Sequence, residues 1–408
     1  MKICLISEYF HPDNTGGTGT VLSRLARYLQ DHYGDVKIHV ITSKNLYRGG
    51  DEKLPAHENW QGIEITRLQT PKSNRPSTAL RLAAGLVFTM AVLRRLLRHS
   101  RYDMVFIVTN PPTLPIAVKV YSRLRRTSYV YLIHDLYPDV ATALQVLSPD
   151  SFIARVFHRF QRGWLHKARK VVVLGRCMRD YLVQHYQVPS KQVEVVTNWS
   201  NASAIQPQSK ETRFRVQNKL SGFVVLYAGN FGQYQNFDCI LDAAQQLQSS
   251  LIPITFVFVG EGARKKHIVA RVDAEKLSNV RVLPFVPHEA FADLLASADV
   301  SLVTLEPGAE GLGVPSKFYN ILASGRTTVA LVAPNSEVAR VLQEAGCGIT
   351  VEQSNAGQLA EVLQDLAQAP DRLQQMGENA RRVFEEKYTL PRVAARFHAV
   401  FEEACRPQ

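Results

Sequence analysis

The feature that most constrains this chain is an alternation, repeated along nearly its whole length, of short apolar runs with helix-length amphipathic segments. Runs at residues 2–7, 37–42, 63–67, 103–108, 128–133, 170–174 and 193–196 read as strands. Between most of them lie segments of helical length, at 18–33, 78–99, 113–126 and 152–168. The runs are nearly continuous in apolar residues, whereas a strand with one wet face alternates. They therefore predict parallel sheets covered on both faces by helices. The pattern pauses in a polar stretch at 201–218 and restarts with runs at 223–228, 254–259, 280–283, 300–304 and 327–331. Two α/β halves joined near residues 200–220 follow from this. The tail, 356–404, reads as wholly helical, broken at Pro370 and Pro391.

At 408 residues the chain can bury two separate cores, and a composition 46% hydrophobic and 21% charged is that of a folded protein. Its five cysteines are scattered, with neither zinc-ligand spacing nor a disulfide framework. The opening MKICLISEYF runs straight into a strand, without the charged and apolar regions of a secretory signal, so a cytosolic location is expected. Charge is placed unevenly. Residues 1–200 hold 28 Lys and Arg against 14 Asp and Glu, out of totals of 48 and 36, which leaves the second half close to neutral. One basic half points to a fixed anionic surface, either nucleic acid or anionic lipid.

In open parallel sheets ligands bind outside the carboxyl ends of the strands, so the residues after each strand carry the chemistry. After the first strand, Gly16 and Gly17 precede a helix, where the backbone can approach a phosphate closely. A nicotinamide site is disfavoured, because these glycines come late and no acidic residue ends the second strand near Thr42 and Ser43. A turn that binds nothing is the alternative. The run SYVYLIHDLYPD delivers His134 and Asp135 to a strand end. Histidine can donate to a sugar hydroxyl or share developing charge, and a following acid can orient it; the bland reading is a histidine that satisfies backbone groups.

Three more segments lie in the second half. Gly229-Asn-Phe-Gly232 ends a strand, and Asn230 and Gln235 add amide side chains to a loop shaped for oxygen-rich anions. Val259-Gly260-Glu-Gly262 is a weaker signal, a loop positioned to meet a nucleotide base. The most specific segment is Glu306-Pro-Gly-Ala-Glu-Gly-Leu-Gly-Val-Pro-Ser-Lys317. There Glu310, Gly311, Leu312 and Gly313 feed a helix opened by Ser316 and Lys317, with Asn320 one turn further on. Backbone N–H groups, a hydroxyl and an ammonium converge where a pyrophosphate would sit.

Taken in order and spacing, these segments resemble the family-four retaining glycosyltransferases of the GT-B fold, over nearly the whole chain. The resemblance implies two Rossmann-like domains facing across a cleft: an acceptor domain at 1–205, a nucleotide-sugar domain at 206–389, and a last helix at 390–408 crossing back to the first domain. The common pattern of that family has an Arg and a Lys in the turn after the first strand of the second domain. Here Asn230 and Gln235 take those places, as in a subgroup with Gly-Asn-x-Gly-x-x-Gln and Pro-Ser-Lys motifs. Of the family's usual pair of glutamates, the second falls at Asn320, and Glu310 stands nearest to the first. The resemblance assigns His134 and Asp135 to the reacting bond. It assigns Gly16, Gly17, Gly229, Asn230, Gln235, Gly260, Glu310, Gly311, Leu312, Gly313, Ser316, Lys317 and Asn320 to the donor, most simply a UDP-sugar.

The implied reaction retains anomeric configuration and needs neither cofactor nor metal, in keeping with the lack of an Asp-x-Asp motif. A nucleotide-sugar epimerase of the same architecture and a non-enzymatic module for anionic surfaces are the alternatives. Segment 79–99 places an uncharged run, 82–93, beside Arg94, Arg95 and Arg98. That run is short of the roughly 20 residues a membrane span needs. It reads either as a core helix or, with the basic residues at 123–126 and 155–170, as a helix lying on an anionic membrane. No nucleic-acid-binding motif accompanies the charge. The expectation is a cytoplasmic enzyme held at the inner face of the membrane, acting on a lipid-linked or glycan acceptor and not on nucleic acid.

Overall fold

The apolar runs fold as parallel strands in two separate sheets, seen in a computed structural model that describes residues 1–13, 17–46, 54–72, 78–99, 101–143 and 145–406. The chain divides into Met1–Thr197 with Val393–Gln408, and Asn198–Arg392.

The first unit runs β1 (Lys2–Ile6), α1 (Thr18–His32), β2 (Lys37–Ser43), β3 (His57–Trp60), β4 (Ile63–Leu68), α2 (Thr78–Arg98), β5 (Met104–Val108), α3 (Leu114–Arg125), β6 (Ser128–Ile133), α4 (Asp139–Ala143), α5 (Phe152–Leu165), β7 (Lys170–Val173), α6 (Arg176–Tyr186) and β8 (Val193–Val195). Its sheet order is β3-β4-β2-β1-β5-β6-β7-β8. Every pair is parallel except β3–β4, an antiparallel edge that the apolar pattern did not announce. The central strands are buried but for the half-buried Ser128 that opens β6, as two covered faces require. Helix α1 shows why the intervening segments are helical: Leu22, Leu25, Ala26 and Leu29 recur at helical spacing and are its buried stripe.

The second unit runs α7 (Arg213–Gln217), β9 (Phe223–Ala228), α8 (Phe237–Gln246), β10 (Ile254–Val259), α9 (Lys265–Ala274), β11 (Val280–Leu283), α10 (Phe291–Ala296), β12 (Val300–Thr304), α11 (Lys317–Ala323), β13 (Thr327–Leu331), α12 (Glu337–Ala345), β14 (Gly348–Val351), α13 (Ala356–Ala367) and α14 (Pro370–Lys387). Its sheet, β11-β10-β9-β12-β13-β14, is wholly parallel. The prolines in the tail start helices and do not break them: Pro370 opens α14, and Pro391 is the second residue of α15 (Leu390–Cys405).

The unit boundary lies at Thr197, earlier than the 205/206 division read from the sequence. Ile205 explains the difference, since it is buried in the second core with Phe214 and Leu220. The polar stretch before β9 is likewise ordered. Thr212 caps α7, and the buried Arg215 donates to the carbonyls of Leu220 and Ser297. Where the chain enters the second unit, the Ser200 amide donates to the Tyr388 carbonyl at 3.2 Å. From Val393 onward α15 belongs to the first unit, where Phe397 and Phe401 pack edge-on against Phe106 of β5.

Candidate functional site

In each sheet the strand order reverses direction at one point, β1/β5 in the first and β9/β12 in the second. Loops that leave neighbouring strands there diverge to opposite sides and open a crevice. All five segments singled out in the sequence follow strands at or beside these points.

In the first unit, Gly17 precedes α1 with φ of 77°, and no side chain caps the helix. Its leading N–H groups therefore face outward at the positive end of a 15-residue helix. Gly16 lies outside the described residues. His134 follows β6. Its backbone N–H donates to Thr109 Oγ1 at 3.3 Å, and its Nδ1 stands 3.5 Å from Thr18 Oγ1, at the outer limit of a hydrogen bond. Burial pulls the imidazole down to about 4, so at neutral pH the ring is uncharged. Asp135 does not orient it. Among the described residues its carboxylate has no hydrogen-bond partner and its side chain is exposed, although the protein crowding around it pushes it up to about 6.

In the second unit the Gly229–Gly232 turn and the Gly260–Gly262 loop interlock. A side chain on Gly260 would begin 1.9 Å from the Gly229 carbonyl oxygen, and one on Gly262 would begin 2.4 Å from the Phe231 oxygen. Phe231 is fully buried, its amide donating to the Glu261 carbonyl at 2.8 Å. Gly260 thus lets the two loops approach, since any side chain there would collide with the Gly229 turn. Gln235 Oε1 accepts from the Gly232 amide at 2.9 Å and closes the turn, which engages the oxygen end of the side chain and not its amide nitrogen. Asn230 projects outward, with its carbonyl held by the Tyr227 hydroxyl at 2.9 Å.

Lys317 is the centre of this arrangement. From the first residue of α11 its side chain reaches the β9 turn. Its Nζ lies 3.5 Å from the centre of the Tyr227 ring and 3.0 Å from where a side chain on Gly229 would begin. The ammonium is buried and, among the described residues, has no hydrogen-bond partner. Burial alone lowers its pKa from 10.5 to about 7. In the common family pattern the cations of this turn belong to the turn itself; here one arrives from the loop beyond β12. Tyr227, which the apolar pattern reads only as core, is its support. Two further contributors missed by the sequence reading are Thr18 and Thr109, whose hydroxyls gain meaning only through contacts remote in the chain.

The loop before α11 turns at Gly308 and Gly311, both with positive φ. Leu312 is buried, so any contact it makes is through its backbone. Gly313 and Glu310 are half-buried, and Glu310 has no ion-pair partner among the described residues. Ser316 is exposed at the N-cap. With seven residues, α11 adds little dipole, and the ammonium carries the electrostatics. Asn320 Oδ1 accepts from Ser200 Oγ at 2.7 Å, leaving its amide nitrogen as the group free to donate. Asn320 and Lys317 also line a cavity of about 10 Å³, near the size of one water, beside the buried and unpaired Ser301 Oγ. No cluster of three or more His, Cys, Asp or Glu suited to a metal is found among the described residues.

Comparison with known proteins identifies the family and the fold. Residues 16–199 match the family model described as "Glycosyl transferase 4-like domain", and residues 208–383 match "Glycosyl transferases group 1". WbjE of Pseudomonas aeruginosa, described as a glycosyltransferase, is 27% identical over 72% of this chain and 72% of its own. WcaI of Escherichia coli K12, described as a colanic acid biosynthesis glycosyl transferase, is 25% identical over 96% of this chain and 98% of its own. Among solved structures, Anabaena HepE in complex with UDP-glucose superposes with a TM-score of 0.72 at 16% identity, over 98% of this chain and 99% of that one.

Proposed function

Since the chain belongs to the family-four glycosyltransferases of GT-B fold, we propose that it moves a sugar from a UDP-sugar to a lipid-linked or glycan acceptor, with retention of configuration. The observation that carries this reading is Lys317: a buried, unpartnered ammonium placed against a glycine turn at the switch point of the second sheet. Burying such a charge without a partner is costly, and a diphosphate is the partner that fits. HepE, of the same fold, holds UDP-glucose, which supports uracil and a hexose as the first donors to try.

In the proposed reaction the acceptor hydroxyl oxygen bonds to the anomeric carbon while the bond from that carbon to the β-phosphate oxygen breaks. Both events take place on one face of the sugar, and the departing phosphate oxygen takes the acceptor's proton. Negative charge builds on the diphosphate, where Lys317, the Ser316 hydroxyl and the N–H groups of the Gly311–Gly313 loop stabilise it. His134 acts as an uncharged imidazole. With Thr18 at Nδ1, Nε2–H remains to donate to a sugar hydroxyl. The ammonium takes the place that a divalent cation fills in other transferases, so we propose that no metal is required. Colanic acid is a polysaccharide, and the WcaI relationship supports a role in polysaccharide or glycolipid assembly. The basic first half supports work at an anionic membrane surface on the cytoplasmic side, with the protein held there peripherally. No helix among the described residues is long and apolar enough to cross a membrane.

The test is transfer from UDP-glucose and related UDP-sugars to lipid-linked sugar acceptors in excess chelator, with the anomeric configuration of the product read by NMR. Retained configuration with full activity in chelator is the expected result. An inverted linkage, or activity that returns only with added divalent cation, would overturn the mechanism.

A further inference from the structure

Helices α2, α3 and α5 lie side by side on one face of the first sheet. Thr89 and Thr113 hydroxyls meet at 2.8 Å, and Arg125 of α3 donates to the Leu97 carbonyl of α2 at 3.0 Å. Lys119 of α3 brings its Nζ within 3.5 Å of where a side chain on Gly163 of α5 would begin. None of the three helices carries an Asp or Glu.

Helix α2 is partly the core helix that its apolar run allowed, since Phe88, Val92 and Leu96 are fully buried. Yet the outward surface of the layer is apolar as well: Leu86 and Met90 on α2, Leu124 on α3, and Phe152, Ile153 and Phe160 on α5 are exposed, Phe152 at 75%. Arg94, Arg98, Lys119, Arg123, Arg155 and Arg159 are exposed around them, with no acidic partner among the described residues. An apolar patch of this extent on a soluble face marks an interaction surface. Interleaved with cations and free of acids, it matches an anionic bilayer in both respects: acyl chains for the apolar side chains and head groups for the guanidinium ions.

We infer that the outer face of α2, α3 and α5 is the seat of the protein on an anionic lipid bilayer, with Phe152, Ile153 and Phe160 entering the acyl region. The inference rests on the proposal that the enzyme works at an anionic surface and names the residues that would do it. The inner side of helix α2 packs toward the loop that holds His134. Gly85 of α2 leaves 3.0 Å to Pro111 in the loop after β5, and Thr109 of that loop accepts from the His134 amide.

The test is co-sedimentation of the full chain with vesicles of phosphatidylcholine alone or with about one quarter phosphatidylglycerol, at low and high salt. Three proteins are compared: the native chain, Phe152→Ser/Ile153→Ser/Phe160→Ser, and Lys119→Glu/Arg123→Glu, with UDP binding as the check of fold. Native protein is expected to bind only the anionic vesicles, and each variant to lose roughly tenfold or more of that partitioning. Failure of the native chain to bind either vesicle would overturn the anionic-surface proposal itself. Native binding that both variants retain in full would overturn the face assignment alone. Loss confined to the charge variant, with equal retention on duplex DNA, would replace the bilayer by a nucleic acid. A polarity-sensitive dye on Phe152→Cys gives an independent reading, because four of the five native cysteines are buried. A blue shift with anionic vesicles is expected, and an unchanged spectrum with bound vesicles refutes insertion at α5.

Discussion

Binding of a UDP-sugar should draw a proton onto Lys317. Burial takes this ammonium from 10.5 to about 7 in the unliganded protein, which corresponds to about 5 kcal/mol against its charged form. At pH 7 roughly half of the molecules therefore carry the charge, and at pH 8.5 only a few per cent do. A diphosphate beside Nζ favours the charged form and raises the pKa back toward its ordinary value. The direction is fixed by that shift: the competent, protonated form is nearly complete about one unit below the pKa of about 7 and is lost as pH rises through it. Affinity should be flat below that point and fall about tenfold for each pH unit above it. Calorimetry in buffers of different ionisation enthalpy measures the proton directly, with roughly half a proton taken up per UDP-sugar at pH 7 and nearly one at pH 8.5. A UDP-sugar is the right probe, because the diester phosphates it carries do not titrate in this range, whereas the terminal phosphate of UDP does. Lys317→Met keeps the length and loses the charge. It should bind with about 1.5–3 kcal/mol less affinity, as for a charge-assisted hydrogen bond, and show neither the pH slope nor the proton. Zero uptake between pH 7 and 8.5, or the same slope in Lys317→Met, refutes the placement of the diphosphate at Nζ.

His134→Ala should lower turnover by one to several powers of ten while leaving UDP-sugar affinity nearly unchanged, measured as kcat against Kd. Turnover near the native value would make His134 a structural residue tied to Thr109. Gly260→Ala should cost about 3 kcal/mol or more of stability, because a Cβ 1.9 Å from the Gly229 oxygen forces two backbones apart. A urea midpoint within error of native would show that the two loops are not locked together.

The parallel strands were legible because burial on both faces writes an unbroken apolar run, and the runs at 128–133, 223–228, 254–259, 280–283, 300–304 and 327–331 coincide with observed strands. The two strands that were not read have a common cause. In β3, His57-Glu-Asn-Trp60 is polar, and it is extended because it pairs with β4 at an edge. Strand β14 begins at Gly348, where a side chain would start 2.1 Å from the Thr328 oxygen, so the residue is chosen by its neighbour strand and not by local propensity. Both are decided by tertiary contact, which periodicity along the chain does not record. The site divides in the same way. Its places were legible, because glycines and strand ends mark them, whereas several roles were not. Gln235 and Gly260 read only as ligand groups, and their structural duties are written elsewhere in the chain: Gln235 Oε1 closes the turn at Gly232, and the Gly229 carbonyl fills the space where a side chain on Gly260 would begin.

Lys317 shows why the missing roles have chemical consequences. The sequence sets the loss of the turn's two cations, replaced by Asn230 and Gln235, apart from the lysine of the Pro-Ser-Lys motif. In the fold these are one exchange, for Gly229 leaves the space into which Lys317 extends, and Tyr227 lies under its ammonium. Two cations at a turn would hold a diphosphate at any physiological pH, the more so with an arginine, which does not deprotonate. A single lysine buried against an aromatic ring behaves differently. It can shed its charge while the site is empty, which avoids the full cost of an unpaired buried ammonium, and regain it when the anion arrives. On the proposed placement of the diphosphate, the departure from the family pattern should make donor binding depend on pH.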